Sequence, residues 1–353
     1  MREAEVVLEV PAGWFDNPND GVRHQRLYAS ILTALARLSV RILPVELPFG
    51  ADTAKRLYRH DQLVISYHSQ GTRGNIVRLK ESYIPPYYTF DTEGFSGFSA
   101  LSRHPDAFLS EIDVYPLEAA REFVLDLSAR IQNQNISKYA QPDHLDDVPE
   151  GGFVFFPLQT EDDPVATLAY LDQIDVARRL ATDLQAAGRG LIIKRHPFCK
   201  SARVGPALAE LEAEHPNVMI ATGSIHGLIT RADCVVGCNS GVLFEALVHG
   251  AHVVSFGASD FQMATTSVTD LSMLLPAVLG PPVDADARVR FLAWYLRRYC
   301  FEASDAIEIE ARLAEMLDQM DVVPITQTDA QKELFYQAAV AEAARRKGFR
   351  DPS

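Results

Sequence analysis

Five short stretches of this chain carry residue types and spacings that chemistry needs. Lys194-Arg195-His196-Pro197 closes a short apolar run, so two cations and an imidazole stand at a strand end. Such groups make charge-assisted bonds to an anion, phosphate above all. Cys238-Asn239-Ser240-Gly241 is a small polar turn between an apolar run and a helical stretch. The first amides of a helix have no internal partner, and the helix dipole adds positive charge there, which again suits an anion. Glu245 follows, an acid among apolar neighbours in Leu243-Phe244-Glu245-Ala246-Leu247. Burying it needs a partner, and a ribose or sugar hydroxyl is one. Gln159-Thr160-Glu161-Asp162-Asp163-Pro164 clusters carboxylates after another strand and offers a base, a nucleophile or a metal ligand. Phe90-Asp91-Thr92-Glu93-Gly94-Phe95-Ser96-Gly97-Phe98 sets two acids in a glycine–aromatic loop, as an acceptor-sugar site would.

Each stretch also has a structural reading. Lys194 to Pro197 suits a solvated strand end with a terminating proline. Asn239 and Ser240 are good helix N-caps. Glu245 suits an exposed helix face, and the acids before Pro164 suit a helix start. The Asp91–Phe98 loop suits a tight turn with aromatic anchors.

The elements that must position these residues follow a βα rhythm. Val6–Val10 reads as a strand, Asp16–Gly21 as a polar loop, and Leu27, Ile31, Leu32, Leu35 and Leu38 as one face of a helix. Val40–Val45 and Leu63–Tyr67 read as strands. From Gly71 to Ser102 the pattern breaks into a long loop of functional type. Leu117–Ile131 is an amphipathic helix, and the polar, Pro- and Gly-rich Gln141–Gly152 reads as an interdomain linker. Strands at Phe153–Phe156, Leu191–Lys194, Val218–Ala221, Cys234–Cys238 and Val253–Phe256 then alternate with helices at Ile174–Leu184, Val204–Glu214, Ser224–Ala232 and Gly241–His249. Gly188 is placed as a helix C-cap. The tail Phe291–Lys347 is mostly helical. This is an α/β chain, divided by the linker into a domain over 1–145, a second over 146–290 and a helical tail over 291–353. In such folds ligands favour the carboxyl ends of parallel strands and domain interfaces, which is where the motifs fall.

Composition narrows the classes. The chain has 353 residues, 47% hydrophobic and 23% charged, with a net charge of -14. That balance argues against a broad basic face for nucleic acid. Cys234 and Cys238 sit on an apolar strand without CxxC partners, so the four cysteines read as free thiols and no metal is expected. No secretory signal and no apolar run of the roughly 20 residues needed to span a bilayer is visible. A cytoplasmic protein is expected, compatible with peripheral association at the inner membrane.

In order, Gln159-x-x-x-Asp163, Lys194-x-His196-Pro197, Asn239-Ser240-Gly241 with Glu245-Ala246-Leu247 and Gly250, and Gly257 resemble the capsule polysaccharide biosynthesis transferases that move Kdo (3-deoxy-D-manno-octulosonic acid) from CMP-Kdo. The likeness covers the second half well and reaches the first half only through the Asp91–Phe98 loop. It implies a GT-B-like fold: two Rossmann-like domains facing a cleft, with the donor held mainly by the second. It assigns His196 and Pro197 to CMP, Ser240 and Gly241 to the phosphate, and Asp163 to a covalent Kdo adduct. Gln159, Lys194, Arg195, Asn239 and Glu245 complete the expected donor site. Lys194 and Arg195 would hold the Kdo carboxylate or the phosphate. Glu93 or Asp91, with Glu81 behind them, would take the acceptor proton. The sequence departs from the family pattern at Pro164, where a small or polar residue is usual. No cofactor is implied. The implied partners are a CMP-sugar donor and a saccharide or lipid-linked glycan acceptor in capsule, O-antigen or other surface polysaccharide synthesis. Three other readings stay open: a GT-B transferase for another CMP- or UDP-sugar, a UDP-sugar 2-epimerase, and a polysaccharide-binding or assembly partner with a degenerate site.

Overall fold

A computed structural model describes residues 4–11, 13, 14, 18–47, 58–149 and 152–320. The chain forms two compact units, Met1–Ile65 with Ala303–Ser353, and Ser66–Glu302. The stretch Gln141–Gly152, read as a linker, lies within the second of these units.

In the first unit, β1 (Glu5–Pro11) lies parallel to β2 (Arg41–Leu47) and to the Gln62–Ile65 part of β3 (Gln62–Tyr67). Helix α1 (Pro18–Arg37) makes the crossover between β1 and β2. It buries Leu27, Ile31 and Leu35, an i, i+4, i+8 stripe. Leu32, read onto that stripe from sequence, is 46% exposed, because one residue turns a helix by about 100°. The helix starts at Pro18, inside the expected polar loop, since proline's fixed φ suits a first turn. Asp16 and Asn17 lie outside the described residues. The helix Ala306–Gln319 packs against α1, with Arg37 and Glu310 paired at 3.3 Å. It bears out part of the expected helical tail; the rest, beyond Met320, lies outside the described residues.

The second unit carries the motifs. Where the sequence pattern breaks, the chain forms an antiparallel hairpin of β4 (Ile76–Glu81) and β5 (Tyr87–Asp91), turned through a cis Pro85–Pro86 bond. β12 (Cys300–Glu302) adds antiparallel to β5. In sequence Val77-Arg78-Leu79-Lys80 alternates apolar and polar residues, yet Val77, Arg78 and Leu79 are all buried. Arg78 meets its burial by donating to the Ile76 carbonyl at 3.0 Å.

Six strands form an all-parallel sheet in the order β11-β10-β9-β6-β7-β8. They are β6 (Phe153–Pro157), β7 (Gly190–Lys194), β8 (Val218–Ala221), β9 (Cys234–Gly237), β10 (Val253–Ser255) and β11 (Thr266–Ser267). Helices α2 (Leu117–Asn133), α3 (Gln173–Ala186), α4 (Val204–Glu214), α5 (Ile225–Ile229), α6 (Gly241–Val248) and α7 (Ala285–Trp294) accompany it. Alternate residues of β6 enter opposite cores. Phe153 and Phe155 join Leu127, Leu247 and Tyr295, while Val154 and Phe156 join Leu180, Leu191 and Leu208. A sheet buried on both faces explains the near-continuous apolar strands. Gly188 caps α3 with φ +68°, the left-handed conformation that favours glycine. The Gln141–Pro149 segment is bonded to the β8–α5 junction. Asp146 accepts from the Gly223 amide at 2.8 Å, and the His144 carbonyl accepts from the Ser224 amide at 3.0 Å. Its polar residues serve as caps, which is why they resemble a linker in sequence. Among the described residues no helix is long and apolar enough to cross a membrane.

The turn Ser96–Phe98 meets the turn Pro164–Leu168 and the loop after β10 at Gly97. A Cβ there would stand 2.6 Å from the Ala258 carbonyl oxygen and 2.7 Å from Leu168. Gly97→Ala is expected to destabilise the protein by about 1–3 kcal/mol, the usual range for overpacking. Urea denaturation of both proteins checks this, and equal midpoints would show that the contact yields freely.

Candidate donor site at the carboxyl ends of the parallel sheet

Asp163 is held on the turn Pro164–Leu168 beyond β6. Its carboxylate accepts the Val165 amide at 3.0 Å and so caps that turn. Pro164 takes the first position, where its missing N–H would have no partner. The departure from the family pattern is thus accommodated in the backbone. The Val165 carbonyl is in turn bound by Asn239, whose amide donates to it at 2.8 Å and to the Ala258 carbonyl at 3.1 Å. Asn239 is buried between β9 and α6. Ser240 caps α6, accepting from the Val242 amide at 3.4 Å. One side chain therefore fixes the Asp163 turn beside the start of α6. Gly241 allows close approach, since a Cβ there would touch the Tyr83 ring at 3.4 Å.

The other acids after β6 divide by partner. Glu161 pairs with Arg203 at 2.8 Å, and that guanidinium holds its carboxyl below the usual range. Asp162 is exposed. The Gln159 amide donates to the Gln173 side chain at 3.1 Å, which ties the strand end to α3.

The strand-end cations are committed to backbone. Lys194 donates to the Thr222 and Gly223 carbonyls at 2.9 and 2.6 Å, and Arg195 to the Cys199 carbonyl at 3.0 Å. They shape the loops after β7 and β8. His196 is the part of this motif that joins Asp163. Burial lowers the pKa of its imidazole, the Asp163 charge acts the other way, and Lys138 lowers it further. Its Nδ1 accepts the Phe198 amide at 3.2 Å, so in the neutral ring Nε2 carries the hydrogen. Pro197 is exposed beside it.

Lys138 was not among the residues singled out from sequence. Its charge reaches both His196 and His68, whose imidazole is pushed down to about 3 by desolvation, Lys80 and Lys138. The neighbouring Tyr139 packs edge-on against His196, with ring centroids 5.4 Å apart. Phe95, from the glycine–aromatic loop, packs on His68 at 4.6 Å. A lone Ser-Lys-Tyr after a helix carries no pattern that sequence reasoning could weigh.

In that loop the two acids differ. Asp91 is buried and accepts the amides of Glu93 and Gly94, both at 2.6 Å, the Ala100 amide and the Tyr299 hydroxyl at 2.6 Å. With its lone pairs filled it anchors the loop. Glu93 keeps a partly exposed carboxylate, paired with Arg103 at 3.0 Å and His104 at 3.1 Å. A third acid, Asp260, follows β10 and is buried against the hydroxyls of Tyr83 and Tyr295 at 2.7 and 2.8 Å. Burial raises its pKa to about 6. Its place at a parallel strand's carboxyl end is the signal that would have found it.

Glu245 is neither exposed nor open to a ribose. It is 1% exposed and accepts the Ser137 hydroxyl at 2.7 Å. Its second oxygen is buried without a hydrogen bond and lies 3.9 Å from His226 Nε2. His226 Nε2 faces the Ile136 carbonyl at 2.9 Å, its Nδ1 faces His249 Nε2 at 3.0 Å, and His249 Nδ1 faces the Ser128 hydroxyl at 2.9 Å. One neutral tautomer on each ring satisfies the whole chain, with the Nε2 hydrogens donated. Burial accordingly keeps both imidazoles low, His249 at about 4.

Two outcomes follow from these groups. Asn239→Asp keeps the shape but replaces two donors by an acceptor facing two carbonyls. It is expected to cost about 2–4 kcal/mol in urea denaturation, from two buried carbonyls left unpaired. Burial raises the Glu245 carboxyl to about 8, above its value in the unfolded chain. The stability it lends is present below about pH 4.5 and is lost as pH rises toward 8. Glu245→Gln should therefore gain on the parent protein across that window, as read from unfolding free energies at pH 5 and 8.5. A constant difference would place the proton elsewhere.

Residues 131–273 match the family model described as capsule polysaccharide biosynthesis protein. The match spans Lys138, Asp163, His196, Ser240 and Glu245 but not Asp91 or Glu93. Protein FixF of Sinorhizobium fredii (strain NBRC 101917 / NGR234) is 30% identical over 176 residues, 47% of this chain and 42% of that protein. The chain thus spans less than half the length of this curated relative. Among solved structures, the Thermosulfurimonas dismutans KpsC beta Kdo 2,7 transferase has a TM-score of 0.50 at 14% identity, covering 88% of this chain and 100% of that one. The beta Kdo 2,4 transferase of the same organism's KpsC has a TM-score of 0.50 at 14% identity, covering 90% and 99%. At such identity the likeness is one of fold, and it is the GT-B arrangement. The resemblance seen in the motifs therefore stands: residues 131–273 match the capsule polysaccharide biosynthesis model, and the chain shares the fold of the KpsC Kdo transferases.

Proposed function

We propose that this protein is a glycosyltransferase that moves Kdo from CMP-Kdo to a saccharide acceptor of a surface polysaccharide, with retention. The observation that carries the reading is the placement of Asp163. Its carboxylate is fixed by Val165 and Asn239 beside the start of α6 and acts electrostatically on His196. A carboxylate, an imidazole N–H and a helix start on one sheet edge are what displacement of a nucleotide from an anomeric carbon requires.

In the first step the Asp163 carboxylate forms a bond to the anomeric carbon, and the bond from that carbon to the CMP phosphate oxygen breaks. CMP leaves with the electron pair, its charge met by His196 Nε2–H, Lys138 and the first-turn amides of α6. In the second step an acceptor hydroxyl attacks the same carbon and Asp163 leaves as carboxylate. Two inversions give net retention. The acceptor proton passes to Glu93, the loop acid with a partly exposed carboxylate. Asp91 serves by holding the loop that carries Glu93. The acceptor is a saccharide or lipid-linked glycan, met at the cytoplasmic face of the membrane.

Asp163→Asn and Asp163→Ala are expected to lower transfer from CMP-Kdo by on the order of 10³-fold or more while leaving CMP binding intact. Transfer at the parent rate by either variant would remove Asp163 from the mechanism. CMP should raise the thermal midpoint of the parent protein more than UDP does. The reverse order would favour a UDP-sugar transferase or, with product formed in the absence of acceptor, a UDP-sugar 2-epimerase.

A further inference from the structure

Between α2 and the segment bound at the β8–α5 junction, residues 135–139 form a non-helical strap, and side chains hold it residue by residue. Asn135 adopts φ +50°, a left-handed conformation uncommon outside glycine. Its side chain accepts the Ser224 hydroxyl at 2.7 Å and donates to the Pro142 carbonyl at 3.0 Å. The Ile136 carbonyl meets His226 Nε2 at 2.9 Å. The Ser137 hydroxyl donates to Glu245 at 2.7 Å. Tyr139, at the far end, rests on His196 and Phe198, with centroids 5.4 and 5.2 Å away.

An acid with 1% exposure inside an apolar helix is costly, and a hydrophobic side chain would serve packing better. What the carboxyl supplies is an acceptor for the Ser137 hydroxyl in a coil. The two residues that follow Ser137 are those whose charge and ring face His196. We propose that Glu245 is a positioning residue: through Ser137 it latches the strap 135–139 and so sets Lys138 and Tyr139 against His196, where the anionic part of a nucleotide donor is held. The inference rests on the donor-site reading above for its ligand, but the latch itself is a property of the free protein.

The latch assigns separate roles to adjacent residues. Ser137 and Glu245 act only through Lys138 and Tyr139, so their loss and the loss of Lys138 share one energy. Ser137→Ala removes one hydroxyl from a half-buried site and leaves the core intact. Glu245→Gln keeps an acceptor for Ser137 and should preserve the latch.

The test combines backbone amide exchange with titration of CMP into Ser137→Ala, Lys138→Ala, the double variant, Glu245→Gln and the parent protein. Exchange at residues 137–139 is expected to speed up in Ser137→Ala and to stay slow in Glu245→Gln. CMP affinity should fall about tenfold in Ser137→Ala, the size of one lost hydrogen bond, and the double variant should bind no more weakly than Lys138→Ala alone. Additive losses, or unchanged exchange at 137–139 in Ser137→Ala, would overturn the latch. A parent protein that binds no CMP would count against the donor reading, and exchange at 137–139 would still decide the latch.

Discussion

Two amide hydrogens of Asn239 hold the carbonyls of Val165 and Ala258 at 2.8 and 3.1 Å, in a site with almost no solvent. The turn after β6 and the loop after β10 would otherwise be free to choose their own paths. With both carbonyls bound to the residue before Ser240, the ends of three neighbouring parallel strands become one rigid edge. Asp163 inherits its position from this bond through the Val165 amide. Gly97 then docks on Ala258, so the glycine–aromatic loop is set by the same clamp. A short polar turn that reads as a helix cap thus organises carboxylate, helix start and glycine–aromatic loop together.

Buried polar groups repeat this logic. Asp91 gathers three backbone amides and a tyrosine hydroxyl, Asp260 two tyrosine hydroxyls, and Glu245 a serine hydroxyl. Burying a carboxyl is unfavourable unless its oxygens are met, and here loops and the helical turn Tyr295–Tyr299 supply the donors for all but the second Glu245 oxygen. The second unit therefore commits its buried acids to loop geometry.

The parallel sheet was legible because a sheet covered on both faces writes its strands as uninterrupted apolar runs. Val204–Glu214 and Val218–Ala221 have the bounds read from sequence, and Gly188 caps its helix. The β4–β5 hairpin lay within a stretch read as a long loop, because Pro85-Pro86 and the glycines Gly94 and Gly97 outweigh the short Val77–Lys80 alternation. Among candidate residues, position at strand ends and order along the chain singled out Asp163, His196 and Ser240, and the fold does place them beyond carboxyl ends of parallel strands. Side-chain direction was beyond reach. Lys194 and Arg195 look like anion ligands in sequence, yet they close on carbonyls just past the neighbouring strand β8 or within their own loop. Lys138 looks like any cation after a helix, and only the folded strap brings it to His196. Glu245 was legible as an acid needing a partner, but the partner proved to be Ser137.

The central claim is that Asp163 bonds to the transferred sugar. Its most direct test is intact-protein mass spectrometry after incubation with CMP-Kdo and no acceptor, followed by peptide mapping. The account predicts a mass increase of one Kdo residue on the peptide carrying Asp163, discharged when acceptor is added. Transfer that proceeds with no such adduct, or an adduct mapped to another carboxylate, would contradict it.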